Sequence, residues 1–243
     1  MKDIRRYYEE KYFDQDFSPQ EKFKQYTKIE ALKDFSKKSG IKGFGIVVGV
    51  GRGADLEVAP DGAVALDLPF TYLPLVKKSF PDALVVQGDG TMLPFKDEVF
   101  DWVVCSEVIE HVPDRDSMLR EFWRVLKPDG VLILTTPNWI NWFGLFRKIA
   151  ELVSGRQVHA NDQPIDNWTT AWALKKELSK YFDVFKLSGW WYFPPIGRGK
   201  FQLFPAFFAK LWQILMPLEY LCRKILPWFG HSIFIAAKPK KNK

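Results

Sequence analysis

A glycine-rich turn behind a short apolar run constrains the fold of this chain more than any other feature. Residues 43–55 read GFGIVVGVGRGAD, in which the β-branched run 46–48 is followed by Gly49, Gly51 and Gly53. The run predicts a buried strand. The glycines predict a tight turn that a ligand can approach closely, because glycine has no Cβ and adopts positive φ. The sequence therefore predicts a strand that leads directly into a ligand-binding turn.

Four further apolar runs follow at regular intervals along the chain. They are residues 63–67 (AVALD), 84–89 (LVVQGD), 100–106 (FDWVVCS) and 131–136 (VLILTT). Short, continuous runs rich in Val, Ile and Leu are typical of parallel strands that are buried on both faces. Ligands of such sheets bind beyond the carboxyl ends of the strands, where the strand order reverses. We therefore expect the glycine turn, Asp67, Asp89 and Ser106 to meet at one edge of the sheet.

These segments resemble class I S-adenosylmethionine-dependent methyltransferases, and most closely the type 11 subgroup that includes ubiquinone and menaquinone methyltransferases. The matching blocks are VVGVGRG, ALDLP, GDGTMLPFKDEVFDWVVCSEVIEHVPD and LREFWRVLKPDGVLILTTPN, all within residues 43–138. The resemblance implies an α/β fold, a Rossmann-like three-layer sandwich with a mostly parallel seven-stranded sheet, N-terminal helices and helical insertions. It also implies an enzyme that uses S-adenosyl-L-methionine as its cofactor and methylates an oxygen, nitrogen or carbon nucleophile.

The resemblance further implies a role for each motif residue. Asp67, beside Leu68, would accept hydrogen bonds from the ribose hydroxyls; the alternative is an acid that caps the next helix. Asp89 would accept a hydrogen bond from the adenine amino group, and the backbone of the next three residues would lie along the ring. The alternative is a simple Asp-Gly turn. The implied cofactor-binding set is Gly49, Gly51, Gly53, Asp67, Leu68, Asp89, Gly90, Thr91, Met92 and Ser106.

Two features depart from the family pattern. The family usually has an acid two residues before the first glycine, where it helps to hold the methionine end of the cofactor, and this chain has Val47 there. Only residues 54–66 separate the glycine turn from Asp67, so the helix that normally fills this gap must be short or replaced by a loop.

His111 is the candidate catalytic residue, because an imidazole titrates near neutral pH and can act as a general base. It lies in the block EVIEHVPD with two further titratable groups, Glu107 and Glu110. The alternative is a ring that packs where a short helix stops before Pro113. The three histidines of the chain show no spacing typical of a metal site, so we expect no metal.

We expect one domain with three consecutive parts. Residues 1–42 form an N-terminal helical cap, residues 43–138 the S-adenosylmethionine-binding core, and residues 139–243 the rest of the domain, with a helical lid insertion (139–181), a sixth strand, an aromatic helical insertion (190–229) and a final strand. In the cap, the Tyr-rich first helix is the better candidate for a lid. The second helix, which begins near Pro19, is expected to pack on the sheet.

The sequence also predicts several local elements. Helices are expected over residues 70–80, 114–126 and 139–154, the second with Glu121 and Arg124 on its charged outer surface. Residues 127–130 (KPDG) are expected to form a turn. Thr169 or Thr170 is expected to cap the helix over residues 172–181.

The aromatic insertion admits three interpretations. It is extra core, the wall of a pocket for a lipid-like substrate, or a helix that lies in a membrane interface. Lys210, Glu219 and internal prolines argue against a helix that spans a membrane. We therefore expect a small-molecule acceptor of hydrophobic, lipid-like character, with peripheral membrane contact through residues 200–229.

Composition narrows the class of protein. Two cysteines and the absence of an apolar N-terminal run favour a cytoplasmic protein with reduced thiols. The net charge of +6 has two interpretations, which are solubility and contact with an anionic membrane surface. No basic helix or nucleic-acid motif is present, so no nucleic-acid partner is expected. Two other functions stay open: a cofactor-binding protein without activity, and a nicotinamide dehydrogenase, although the third glycine of that motif is missing.

Overall fold

The computed structural model describes residues 19–59, 62–155, 164–192 and 207–240. Seven strands form one sheet in these residues: β1 Gly45–Val48, β2 Ala63–Asp67, β3 Leu84–Gln87, β4 Phe100–Ser106, β5 Leu126–Pro137, β6 Phe182–Trp190 and β7 Ser232–Pro239. The strand order is β3-β2-β1-β4-β5-β7-β6. Strands β1 to β5 pair in parallel, whereas β7 is antiparallel to both β5 and β6. The predicted mostly parallel seven-stranded α/β sheet is therefore confirmed.

The strand order reverses beside β1, which pairs with β2 on one side and β4 on the other. Val48, the last residue of β1, is in register with Leu66 of β2 and with Cys105 of β4. The carboxyl ends of these three strands therefore border one crevice. That crevice is the place where a sheet of this kind binds its ligands.

Helices cover both faces of the sheet. They are α1 Pro19–Lys38, α2 Leu73–Ser79, α3 Arg115–Val125, α4 Trp142–Ser154, α5 Ala171–Leu178 and α6 Phe207–Ile225. One core lies between the sheet and α3 with α5, where Phe122 and Leu174 are buried. The other core lies between the sheet and α1 with α2, where Leu32 and Val76 are buried. Since strand residues alternate between the two cores, the result is the predicted three-layer sandwich.

Two strand predictions need correction. The run 84–89 was predicted to be buried on both faces, but β3 ends at Gln87 and lies at the edge of the sheet, so its side chains are partly exposed. The tetrapeptide Lys127–Gly130 was predicted to be a turn, but it belongs to β5, which starts at Leu126. The pairing of β5 with β4 shifts its register between Phe100 and Trp102, so the extra residues of β5 form an irregularity within the strand.

Three helix predictions also need correction. The helix expected over residues 70–80 begins at Leu73, so Pro74 lies in its first turn, where a missing N–H disrupts nothing. The helix expected from Trp139 begins at Trp142. Glu121 and Arg124 were expected to be ordinary surface charges, but they anchor the loop after β3: Arg124 donates to Phe95 O at 2.8 Å, and Leu93 N–H donates to Glu121 at 2.8 Å.

Other local predictions are confirmed. The gap after the glycine turn holds only a short 3-10 helix, Ala54–Val58. Thr170, one of two candidate caps, accepts the N–H of Ala173 at the start of α5. The Tyr-rich first helix and residues 193–206 lie outside the described residues. Among the described residues no helix has both the length and the hydropathy needed to cross a membrane.

Candidate functional site

A cavity of about 300 Å³ opens at the carboxyl ends of β1, β2 and β4. Most of the residues singled out in the sequence line it: Gly49, Gly51, Asp67, Leu68, Asp89, Gly90, Thr91, Ser106 and His111. These residues come from four separate strand ends and the loops that follow them. The fold therefore brings together nearly all of the cofactor-binding set predicted from the motifs.

The glycine turn is fastened to the end of β2. Gly49 N–H donates to Leu66 O at 2.8 Å, and Gly51 N–H donates to Asp67 Oδ2 at 2.6 Å. Gly49 adopts φ +75°, and a Cβ on it would lie 2.3 Å from a methyl group of Val108. Gly51 adopts φ +50°, and a Cβ on it would have no atom of the described residues within 4 Å, so its open side faces the cavity. The two glycines thus serve different purposes: one allows close packing, and the other leaves room for a ligand.

Gly53 and Met92 do not line the cavity. Gly53 adopts φ +93° at the start of the 3-10 helix, and a Cβ on it would lie 3.1 Å from the ring of Phe80. Its role in the structure is therefore local packing. The side chain of Met92 is three-quarters exposed and is not part of the cavity wall.

Asp67 is a partly buried acid with two backbone hydrogen bonds. Besides Gly51, it accepts Leu68 N–H on Oδ1 at 2.8 Å. Burial raises the pKa of Asp67 from 3.8 to about 6, although both backbone donors oppose the shift. The alternative role of helix cap does not apply, because α2 starts after Tyr72 without any side-chain cap.

Asp89 organises the turn in which it lies. Its Oδ1 accepts both the backbone N–H and the hydroxyl of Thr91 at 2.8 Å, and its carbonyl accepts Met92 N–H at 3.0 Å. The N–H groups of Thr91 and Met92 are therefore bonded within the turn. Gly90 lies so close to Met118 that a Cβ would approach its methyl group to 2.4 Å. The turn presents its carboxylate and a flat glycine surface to the cavity.

The cavity contains acids that the motif comparison did not assign to the cofactor. Val47, at the position of the missing family acid, is buried in the core between the sheet and α1. Asp55 lines the cavity instead, and it is 8% exposed. Burial raises the pKa of Asp55, while the charge of Lys28 lowers it and that of Glu107 raises it. A carboxylate is thus present at this end of the cavity, supplied by another element.

Helix α1 both packs on the sheet and closes the cavity. Leu32 and Phe35 are buried in the core, whereas Gln25, Lys28 and Ile29 line the cavity. The sequence indicated the buried face from its three- and four-residue spacing. The spacing gave no signal for the second face, because polar and apolar residues both contribute to it.

His111 lies at the cavity wall in a defined tautomer. Its Nδ1 is 2.7 Å from Ile165 O, and since a carbonyl only accepts, Nδ1 carries the proton. Burial lowers the pKa of His111, so the ring is neutral near pH 7 with its lone pair on Nε2. Glu110 Oε1 lies 3.7 Å from Nε2, and burial raises the pKa of Glu110 well above its ordinary value. The arrangement supplies an imidazole base.

Among the described residues no cluster of His, Cys, Asp and Glu could hold a metal ion.

Comparison with known proteins agrees with this geometry. Residues 46–134 match a family described as "Methyltransferase domain". A demethylmenaquinone methyltransferase of Lactobacillus johnsonii is 35% identical over 114 residues, which cover 40% of this chain and 47% of the relative. One from Streptomyces avermitilis is 38% identical over 79 residues, covering 31% of this chain and 34% of the relative. The matched stretch thus spans less than half the length of either relative.

A solved structure extends the likeness of the fold to most of the chain. The SAM-dependent methyltransferase of Thermotoga maritima superposes with a TM-score of 0.63 and 17% identity, covering 89% of this chain and 91% of that one. At this identity the likeness concerns the fold alone.

Proposed function

We propose that this chain is a class I S-adenosylmethionine-dependent methyltransferase, whose residues 46–134 match the methyltransferase domain family, and that it transfers a methyl group from S-adenosyl-L-methionine to a hydrophobic, lipid-like small molecule. The observation that carries the proposal is the partly buried Asp67 carboxylate at the cavity. Each of its oxygens accepts one backbone N–H and keeps a lone pair for a ribose hydroxyl.

The rest of the cavity fits the same cofactor. Its volume of about 300 Å³ lies at the lower end of the range for small-molecule pockets. Asp89 would accept the adenine amino group, and the open side of Gly51 would let the sugar approach the backbone. Ser106 would stand beside the amino acid end. In this proposal Gly53 and Met92 support the site without touching the cofactor.

Asp55 would take the place of the acid that is missing at Val47. The methionine end of the cofactor carries an ammonium and a carboxylate, and the cavity offers Asp55 for the first and Lys28 for the second. The two side chains already interact electrostatically across the cavity. An acid in the short 3-10 helix after β1 can therefore take the role of the acid that β1 lacks at Val47.

Methyl transfer in this site depends on aligning the acceptor with the methyl group more than on activating the leaving group. When bound, S-adenosyl-L-methionine supplies a methyl group on a sulfonium, which is already a good leaving group. Residues of α1 exclude water from the cavity, and the wall around Ser106 and His111 would hold the acceptor in line. The neutral His111, with its lone pair on Nε2, would remove a proton from an acceptor hydroxyl or acidic carbon.

Two features support a lipid-like acceptor. The matched relatives carry names that specify demethylmenaquinone, a quinone with an apolar tail. In addition, helices α4 and α6 both expose apolar side chains to solvent. We therefore also propose a cytoplasmic enzyme with peripheral membrane contact through residues 200–229, of which the structure describes the backbone from residue 207.

Turnover with a labelled cofactor tests the proposed function. The purified protein is incubated with methyl-labelled S-adenosyl-L-methionine and either demethylmenaquinone in detergent micelles or a lipid extract, and products are identified by mass spectrometry. The proposal predicts a labelled, lipid-soluble product, and a His111→Gln variant with unchanged cofactor affinity but turnover about 100-fold lower. Cofactor binding without any labelled product would indicate a binding protein that keeps only the fold.

A further inference from the structure

Helix α4 buries a charged side and exposes an apolar side, which is the reverse of a helix that packs on a protein core. Its buried side consists of Gly144, Arg147 and the inward-turned Glu151. Arg147 is held at 2.7 Å by Asp166 and at 3.2 Å by Glu151, and its guanidinium lies 4.6 Å from the ring centre of Trp168. An ion pair and aromatic rings, rather than aliphatic packing, therefore attach α4 to the domain.

The apolar side of α4 faces solvent. Six side chains on this face are between 48% and 84% exposed: Trp142, Leu145, Phe146, Ile149, Leu152 and Val153. We call these six residues the α4 apolar face. A contiguous exposed face of this kind marks an interaction site, because folding alone would turn it inward.

The exposed cation beside the α4 apolar face is Lys148. Glu151, the only acid of α4, pairs with Arg147 at 3.2 Å and with Lys148 at 3.6 Å, and its side chain is 12% exposed, whereas that of Lys148 is 60% exposed. Helix α6 repeats this arrangement. Its only acid, Glu219, is buried and accepts Trp191 N–H at 2.6 Å. Both helices thus hide their acid and expose apolar residues, a pattern that suits an anionic surface.

The α4 apolar face also lies beside the candidate active site. Asp166, which holds Arg147, belongs to a segment that contacts the cavity wall: Ile165 O accepts His111 Nδ1–H, and Asn167 N–H donates to Glu110 O at 2.9 Å. One short segment therefore supports α4 on one side and the candidate base on the other. A surface that receives α4 comes within reach of the cavity.

We propose that the α4 apolar face docks the protein on a bilayer that contains anionic phospholipid. The apolar face enters the acyl boundary, and Lys148 contacts the phosphate region. Docking itself does not depend on catalysis, but its purpose, the capture of an acceptor dissolved in the bilayer, rests on the proposed function. The surface belongs to a different helix from residues 200–229, for which membrane contact was expected from the sequence, and it borders them where Trp142 packs edge-on against Phe229, with ring centres 5.6 Å apart.

Vesicle sedimentation tests this proposal. Full-length protein is spun with vesicles of phosphatidylglycerol and phosphatidylcholine, and with phosphatidylcholine alone. The variant Phe146→Ser/Leu152→Ser removes two side chains of the α4 apolar face. Its matched control, Leu84→Ser/Phe185→Ser, removes one leucine and one phenylalanine that are similarly exposed on strands β3 and β6. Melting temperatures check that both variants keep the fold.

The proposal predicts that wild type and control sediment with the anionic vesicles, and that the α4 variant partitions at least about tenfold less. Lys148→Glu is expected to weaken binding in a salt-dependent way. An α4 variant that sediments like wild type would overturn the proposal, as would a wild type that stays in solution. If the wild type does not bind vesicles and is a dimer, and the α4 variant is a monomer, the α4 apolar face binds a second copy of the chain instead. Cofactor titration of the same samples separates this result from any failure of the proposed function.

Discussion

At the scale of single residues, Asp67 links protonation to ligand binding. Its carboxyl has a pKa of about 6, raised by burial from 3.8. A raised carboxyl pKa means that the folded state binds the proton more tightly than the unfolded state. The contribution of Asp67 to stability is therefore fully present below pH 3.8 and is lost as the pH rises through about 6.

Cofactor binding should show the opposite dependence on pH. A ribose diol donates to the carboxylate, so the ionised form of Asp67 binds and the protonated form does not. We expect the affinity for S-adenosyl-L-homocysteine to fall by up to about tenfold per pH unit below the pKa. Calorimetry across about pH 5 to 8 measures this. The Asp67→Asn variant should bind S-adenosyl-L-homocysteine weakly at every pH. If its affinity still falls as the pH is lowered, another group causes the pH dependence.

Asp55 gives a prediction that separates the two ends of the cofactor. Replacing it by Asn should weaken binding of S-adenosyl-L-homocysteine by about 1.5–3 kcal/mol, because the ligand ammonium loses a charged acceptor. Binding of methylthioadenosine, which lacks the amino acid portion, should be unchanged. Equal losses for both ligands would show that Asp55 shapes the cavity rather than holding the ammonium.

The two cavity glycines predict different outcomes for the same substitution. Gly49→Ala combines positive φ with a Cβ 2.3 Å from Val108, so it should lower the free energy of unfolding by about 2–4 kcal/mol. Gly51→Ala also has positive φ but no clash, and should cost about 1 kcal/mol of stability. Its main effect should be on cofactor affinity. Chemical denaturation and calorimetry on both variants would reveal any reversal of this order.

At the scale of elements, α4 depends on a buried ion pair. Arg147→Met should lower the free energy of unfolding by about 3–5 kcal/mol, because it leaves the Asp166 carboxylate buried without its charge partner. The double variant Arg147→Met/Asp166→Asn should recover part of the loss. Urea unfolding measures both. A single variant within about 1 kcal/mol of wild type would mean that the pair behaves like an exposed one.

The orientation of α4 also shows where sequence reasoning reached its limit. The apolar periodicity predicted an amphipathic helix correctly, but periodicity identifies a face without saying what that face contacts. The inward side is fixed by Arg147 pairing with Asp166, a contact between distant positions that no local pattern reveals. The same limit applies to β5, because Lys127–Gly130 has the composition of a turn and only pairing with β4 makes it strand.

At the scale of the whole molecule, the strands at the sheet centre and the motif residues at their ends were the most predictable features. Apolar runs buried on both faces give an unambiguous signal, so β1, β2 and β4 fell where expected. Asp55 as an acid of the cavity was not predictable, since its position depends on how the short 3-10 helix folds back over Ser106. The motifs therefore predicted most of the residues of the candidate site, whereas Asp55 could be identified only from the fold.

The central claim is that this cavity holds S-adenosyl-L-methionine, and a calorimetric titration of the wild-type protein tests it most directly. We expect S-adenosyl-L-methionine to bind with a dissociation constant in the micromolar range, about −8 kcal/mol, and Asp67→Ala to weaken it by about 1.5–3 kcal/mol without unfolding the protein. NAD should give no binding heat. Binding of NAD, or the absence of binding for S-adenosyl-L-methionine by a folded protein, would contradict the account.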